Sequence, residues 1–318
     1  MNLFWNIYKN LENELIALSN NIYFCDQQDT VYSVHISDLL IRTSVEIEAI
    51  STELYKIAGG NLSLLDANGK PRGLFFDSDC IQFLDMNWKI TKKTVNVVSP
   101  NFFFEKEENR VLHPLKDCNK QGKGRWKKAY QAVKHDRMGS LAFGNIGNLI
   151  RAMASLYILN IYYRNESYDV GTIMDTAPFD NRLGSDIFSV TVAHAEECHY
   201  SAKMGDHSIL RKVRDTMDSA VLVRKFTEDT FIRLHKNMID YDNEAMDRLS
   251  KEPAVLSFLK QNPKYKAKSL LTLAKDAGGD ALVAKVLVGQ KIVEYLPKAN
   301  MEVVLNKGQK IYPDLSDE

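Results

Sequence analysis

The stretch Leu141–Arg164 constrains this chain more than any other. Read as a helix, it carries Phe143, Ile146, Leu149, Ile150, Met153, Leu156, Tyr157 and Ile161 and has almost no polar face. Such a helix is stable only when other elements surround it. A membrane span needs about 18–20 uninterrupted apolar residues, and Asn145, Asn148, Arg151 and Asn160 interrupt this stretch. It is therefore expected to be the central helix of a bundle in a soluble, cytoplasmic protein that makes no use of a membrane. Asn145 and Asn148 are expected to hydrogen-bond between helices, with a role in a site as the alternative.

Two further helices are readable ahead of it. Phe4, Ile7, Leu11, Leu15, Leu18 and Ile22 step by threes and fours, one apolar stripe of an amphipathic helix. Leu40, Thr43, Ile47, Ile50, Leu54 and Ile57 form the next stripe, with Ser37 as the expected cap and Gly59-Gly60 as the stop. From about 61 to 118 the texture turns irregular, with turn signals at Asn68-Gly69 and Lys70-Pro71 and one short strand expected over Lys92–Val98. A helix bearing Trp126, Tyr130 and Val133 on one face then runs from near Trp126 to Gly139. Four helices with a long crossover between the second and third make a bundle.

Beyond Arg164 a strand is expected over Asp186–Val192. Helices follow over about Val213–Leu249, Ala254–Gln261, Ala267–Ala277 and Asp280–Tyr295. A hairpin is expected around Asn306-Lys307-Gly308. The expected class is mainly α: a helical bundle over 1–192 with a long irregular insertion at about 61–118, and a mostly helical C-terminal region over 193–318 carrying short strands. No internal repeat is present. Cys25, Cys80, Cys118 and Cys198 are widely spaced, so reduced thiols are expected rather than a disulfide framework or a zinc site. Met1-Asn2-Leu3-Phe4-Trp5 lacks a basic start, so no signal peptide is expected.

The chain is neutral overall, with 41 Lys and Arg against 41 Asp and Glu in 318 residues. Any charge-driven partner must therefore meet a local patch. That patch is residues 116–138. Lys116, Lys120, Lys123, Arg125, Lys127, Lys128, Lys134 and Arg137 stand against Asp117 and Asp136, a local charge of +6. Cations neutralise phosphates, and Trp126 and Tyr130 could stack on unpaired bases. The alternative is a solvated cationic face whose rings are core. Within the patch, His135 is of the residue type that donates or accepts a proton in catalysis, and Lys134 and Arg137 could hold an oxyanion. These are the groups that RNA cleavage by 2′-OH attack requires, with Asp136 able to orient a ring. The competing role for His135 and Arg137 is to satisfy Glu46 or Glu48, which lie on or beside the second helix's apolar stripe.

The string Trp126-x3-Tyr130-x3-Lys134-His135-x-Arg137, followed by the apolar helix with Asn145 and Asn148, resembles uncharacterised bacterial proteins of HEPN type. Ile41-Arg42-x3-Glu46-x-Glu48 and Gly184-Ser185-Asp186-Ile187-Phe188-Ser189-Val190 fit the same resemblance, which spans roughly 30–192. It implies a helical bundle that often dimerises. It further implies a metal-independent ribonuclease, or an RNA- or nucleotide-binding protein, of a bacterial defence or toxin module. An antitoxin or other defence partner is implied with it. The Arg-x4–6-His nuclease signature of that group does not occur here. The candidate catalytic residues are thus His135, Arg137 and Lys134. Lys123, Arg125, Trp126, Lys127, Lys128, Tyr130 and Asn145 are the candidate binding residues, and Glu46, Glu48 and Asp136 the supporting ones. No metal and no cofactor is expected. The alternative function is a non-catalytic interaction or regulatory protein that uses the same bundle to dimerise or to hold a partner.

His194-Ala195-Glu196-Glu197-Cys198-His199 departs from H-E-x-x-H, so an exposed polar segment is expected there rather than a metal site. G-x-x-x-x-G-K-[ST], G-x-G-x-x-G and G-x-S-x-G are absent, which gives ATPase, dinucleotide-dependent and serine-hydrolase chemistry no support.

Overall fold

A computed structural model describes residues 3–175, 177–194, 199–200, 209–210, 218–286, 298–308 and 312. The fold is mainly α. The first helix, α1 (Leu3–Ser19), buries Leu11, Leu15 and Leu18 of the expected stripe and Tyr8 beside them, while Phe4 and Ile7 are half-buried. After β1 (Phe24–Cys25) comes α2 (Val34–Ile57). Its cap is Ser33, whose Oγ accepts the Ile36 N–H at 3.1 Å. Ser37, the expected cap, lies buried inside the helix. The extra first turn carries exposed Val34 and His35, which lie off the apolar stripe and left no trace in its periodicity. Gly59 ends the helix region at φ +85°, a conformation that suits glycine.

The excursion is more ordered than its composition suggests. A π-helical turn (Phe76–Ile81) runs into α3 (Gln82–Trp88). Then come β2 (Val95–Val97), β3 (Phe102–Phe103), α4 (Glu107–Arg110) and β4 (Val111–Leu112). β3 pairs in parallel with β1. Ile81, Leu84, Trp88, Ile90, Val95, Leu112 and Leu115 all enter the main core.

Next, α5 (Arg125–His135) stops earlier than expected. Asp136 leaves the helical region (φ −143°, ψ 80°), and its carboxylate accepts the Gly139 N–H at 3.0 Å to start the short α6 (Arg137–Ser140). The central helix, α7 (Ile146–Arg164), begins later than expected. Asn145 is its cap, with Oδ1 accepting the Asn148 N–H at 3.0 Å, so Leu141–Gly144 lie outside it. From Ile146 to Tyr162 all of α7 but Arg151 is buried. α1, α2 and α5 pack on it and α2 also packs on α1 and α5, which is the four-helix arrangement expected.

The remaining elements are β5 (Tyr168–Thr172), β6 (Phe188–Val190), β7 (Val192–His194), β8 (His199–Tyr200), β9 (Ile209–Leu210) and β10 (Leu222–Phe226), then α8 (Glu228–Lys251), α9 (Pro253–Gln261), α10 (Leu270–Val286) and β11 (Asn300–Leu305). β2 lies between β4 and β6, and a second sheet runs β5-β11-β10-β7. Leu222–Phe226 is a strand where a helix was expected; its Val and Phe favour a pleated surface. Helices are expected over Ala267–Ala277 and Asp280–Tyr295, and α10 is broken between them at Gly279, whose φ of 66° and ψ of −164° are not helical. β11 pairs antiparallel with both β10 and β5. The other arm of the expected hairpin, 309–311, falls outside the described residues.

Among the described residues there are two hydrophobic cores. The larger spans the bundle and excursion and takes Val221, Leu222 and Val303 from the C-terminal part. The smaller is confined to α8, α9 and α10, around Tyr241, Leu249, Val255 and Leu273. Among the described residues no helix is long and apolar enough to cross a membrane. Cys25, Cys80 and Cys118 are buried and free.

Glu12 is fully buried on α1 and ties the segment before β6 to the bundle. Its carboxylate accepts from the Tyr8 hydroxyl (2.7 Å), Lys9 Nζ (2.5 Å), Ser185 Oγ (2.5 Å) and the Asp186 N–H (3.1 Å). Glu12→Ala strands these donors, and urea unfolding should show a loss of about 3 kcal/mol. A loss below about 1 kcal/mol would contradict this role for the carboxylate.

Lys93, ahead of β2, is buried as well. Burial pushes its amine down from 10.5 to about 8; Asp218 pulls the other way, and Lys89 and Lys92 add to the fall. The unfolded chain therefore binds a proton that the folded chain has released, so stability rises as pH climbs from about 8 towards 10.5. The rise should be about 2 kcal/mol, and Lys93→Met should flatten it in denaturation curves taken across that range.

Candidate functional site

The candidate site is a groove between α2 and α5, with a volume of about 1140 Å³. α2 supplies Val45, Glu48, Ala49, Thr52 and Glu53 to one wall. α5 supplies Lys127, Lys128, Gln131 and Lys134 to the other. The excursion closes it with Leu74, Phe75, Phe76, Asp77 and Ser78, and the loop before α5 adds Gln121, Gly122 and Lys123.

Its charges divide into spent and unspent. Lys127 is buried, and its Nζ donates to Asp77 Oδ2 (2.9 Å), the Cys118 carbonyl (2.9 Å) and the Lys120 carbonyl (2.7 Å). That uses all three of its N–H donors. Burial works against the charge on Asp77, but the Lys127 ammonium and the Ser78 N–H outweigh it and hold the carboxyl below its usual range. Glu53 is paired with Lys56 at 2.7 Å. Lys123 and Lys128, by contrast, are exposed and make no ion pair among the described residues. Lys134 is exposed too, with its Nζ 5.1 Å from the centre of the Tyr130 ring.

The residues singled out from sequence thus separate. Lys123, Lys127, Lys128, Lys134 and Glu48 come together in the groove. Trp126 and Tyr130 are core, each 1% exposed, and Trp126 Nε1 donates to the Pro114 carbonyl at 2.8 Å; neither ring is open to a base. Arg125 pairs with Asp29 at 2.5 Å, away from the groove lining. Asn145 and Asp136 are caps. His135 is exposed on the last residue of α5 and does not line the groove. Arg137 pairs with Asp38 at 2.8 Å rather than with Glu46 or Glu48. Glu46 is half-buried, and burial raises its carboxyl.

Sequence reasoning missed the aromatic wall, Phe75 and Phe76. The only sequence cue was two adjacent rings in an otherwise turn-rich stretch. Within the stretch His194–His199, residues 195–198 lie outside the described ones. Among the described residues no group of three or more His, Cys, Asp or Glu is placed to hold a metal ion.

Lys127→Ala leaves Asp77 and two carbonyls without their donor, and should cost about 3 kcal/mol in thermal or urea unfolding. Lys128→Ala should stay within about 0.5 kcal/mol of wild type. Equal effects of the two would contradict the division of labour along α5. Compared with models of protein families, with curated proteins and with solved structures, the chain matches none.

Proposed function

We propose that this protein is an HEPN-like RNA-binding protein of the bacterial defence or toxin kind, and that RNA lies along the groove between α2 and α5. One observation carries the proposal: Lys123, Lys128 and Lys134 are exposed along a single groove in a chain with no net charge. Exposed lysines in a row, two of them without an ion pair among the described residues, suit phosphates, whose neutralisation releases counterions. The volume of about 1140 Å³ exceeds the ~300–1,000 Å³ of ordinary small-ligand pockets. An extended polyanion fits that better than one nucleotide.

Cleavage is not part of the proposal. Strand scission by 2′-OH attack needs a base and an acid at the scissile phosphate. Of Lys134, His135 and Arg137, only Lys134 lines the groove, and Arg137 is engaged by Asp38. The second function, a partner-binding bundle, is favoured by a different observation. Tyr32, Val34, Met138 and Phe143 are all more than half exposed. The Tyr32–Asn145 bridge and the Arg137–Asp38 pair bring their segments together at the start of α2.

A labelled RNA oligomer should bind at low salt, with affinity falling steeply as salt rises. The double variant Lys123→Ala/Lys128→Ala should make the logarithmic salt slope shallower by about 1.4, at ~0.7 per phosphate on a single strand. The RNA should stay intact, with wild type and His135→Ala alike. Absence of binding at low salt would leave the partner-binding bundle as the function.

A further inference from the structure

We infer that Phe75 is the stacking platform of the groove and that its ligand presents unpaired bases, a single-stranded oligonucleotide rather than a duplex or a base-free polyanion. This rests on the RNA-binding function proposed above and names the part of the ligand that the lysines cannot read.

Phe75 is 56% exposed, an unfavourable place for a phenylalanine, yet its position is fixed from several sides. The Arg72 guanidinium lies 4.9 Å from the ring centre and covers one face. Arg72 is itself held by Asp79 in a two-pronged ion pair at 2.6 and 2.8 Å. The same carboxylate accepts the Phe75 N–H at 2.8 Å. On the other side the Phe75 carbonyl accepts the N–H groups of Asp79 (3.1 Å) and Cys80 (3.2 Å), the second being the wide bond that makes the next turn π-helical. Single π-helical turns inside helices occur often at functional sites. Here the turn sets an aromatic ring on the groove wall.

The chemistry follows from that placement. The ring is backed by a cation, lines the groove and stands on backbone already held by hydrogen bonds on both sides. A flat nucleobase can stack on such a ring, and the ordering cost is already met within the protein. Lys123 and Lys128 line the same groove and can take the phosphates, and the Gln131 amide lines it as a group able to meet a base edge. Duplex RNA keeps its bases stacked inside and would leave the ring unused. A base-free polyanion would use the lysines alone.

The test compares an oligouridylate with an abasic oligomer of the same length and backbone, on the full chain, by fluorescence anisotropy. Wild type should prefer the base-bearing oligomer by about tenfold or more, as one stacked base supplies. Phe75→Ala should remove that preference and leave the salt slope unchanged; Phe75→Trp should keep it. Circular dichroism melting of the variants confirms that they fold, since an exposed ring contributes little to the core. If Phe75→Ala keeps the base-over-abasic preference, or if wild type binds both oligomers equally, the stacking inference is overturned while RNA binding stands. If wild type binds neither oligomer at low salt, both fall together.

Discussion

α7 is a helix with almost no polar face, and the other segments are arranged around that fact. Three helices cover part of it, and the excursion, the 180s loop and the C-terminal strands cover the rest. A surrounded helix must also satisfy its few polar atoms, because a buried donor without an acceptor costs about 1–3 kcal/mol. In α7 four of the polar side chains are fasteners for non-helical chain. Ser155 Oγ donates to the Pro114 carbonyl of the excursion, and Tyr157 hydroxyl to the Arg182 carbonyl. Tyr162 hydroxyl donates to the Asn306 carbonyl after β11, and Arg164 to the Leu183 carbonyl. Each contact joins the central helix to a segment remote in sequence. The apolar side chains give the bundle its cohesion, and the hydroxyls and guanidinium give it its register against loops.

The same logic builds the groove. Pro114 accepts both Ser155 and the Trp126 indole, so α5 and α7 share one anchor in the excursion. Lys127 then draws Asp77 and the carbonyls of Cys118 and Lys120 onto α5. A lysine with all donors used inside the fold is a structural crosslink. It is worth more there than as a surface cation, because water no longer competes for its partners. The walls on which Phe75, Lys123 and Lys128 stand are held by that crosslink and by the Arg72–Asp79 pair.

How much of this could be read from the sequence follows from the range of the interactions. Periodicity is local, so the stripes of α1 and α2 and the encirclement of α7 were readable. Caps were less so: Ser33 and Ser37 are equally good residue types, and only the Ile36 N–H decides between them. Asn145 looked like a ligand or an interhelical bond and is a cap, because Gly144 and the turn before it break the helix. The basic run was readable as a run, but not in its parts. Trp126, Tyr130 and Val133 marked the buried face correctly, while Lys127 borders that face, and its partner Asp77 is 50 residues away. Nothing near Lys127 distinguishes it from Lys128.

The strands show the same limit from the other side. β10 lies inside the helix expected over about Val213–Leu249. What makes it a strand is β11 on one side and β7 on the other, which lie some 80 and 30 residues away in the chain. The excursion likewise reads as loop because its elements are short: β2 needs β6, and β3 needs β1, to be strands at all. Short elements with remote partners leave weak local signals, and the groove wall at Leu74–Ser78 belongs to the same irregular excursion. The aromatic wall therefore escaped a sequence search that found the lysines. Charge is visible residue by residue, whereas the exposure of Phe75 beside a half-buried Phe76 is a property of the folded chain.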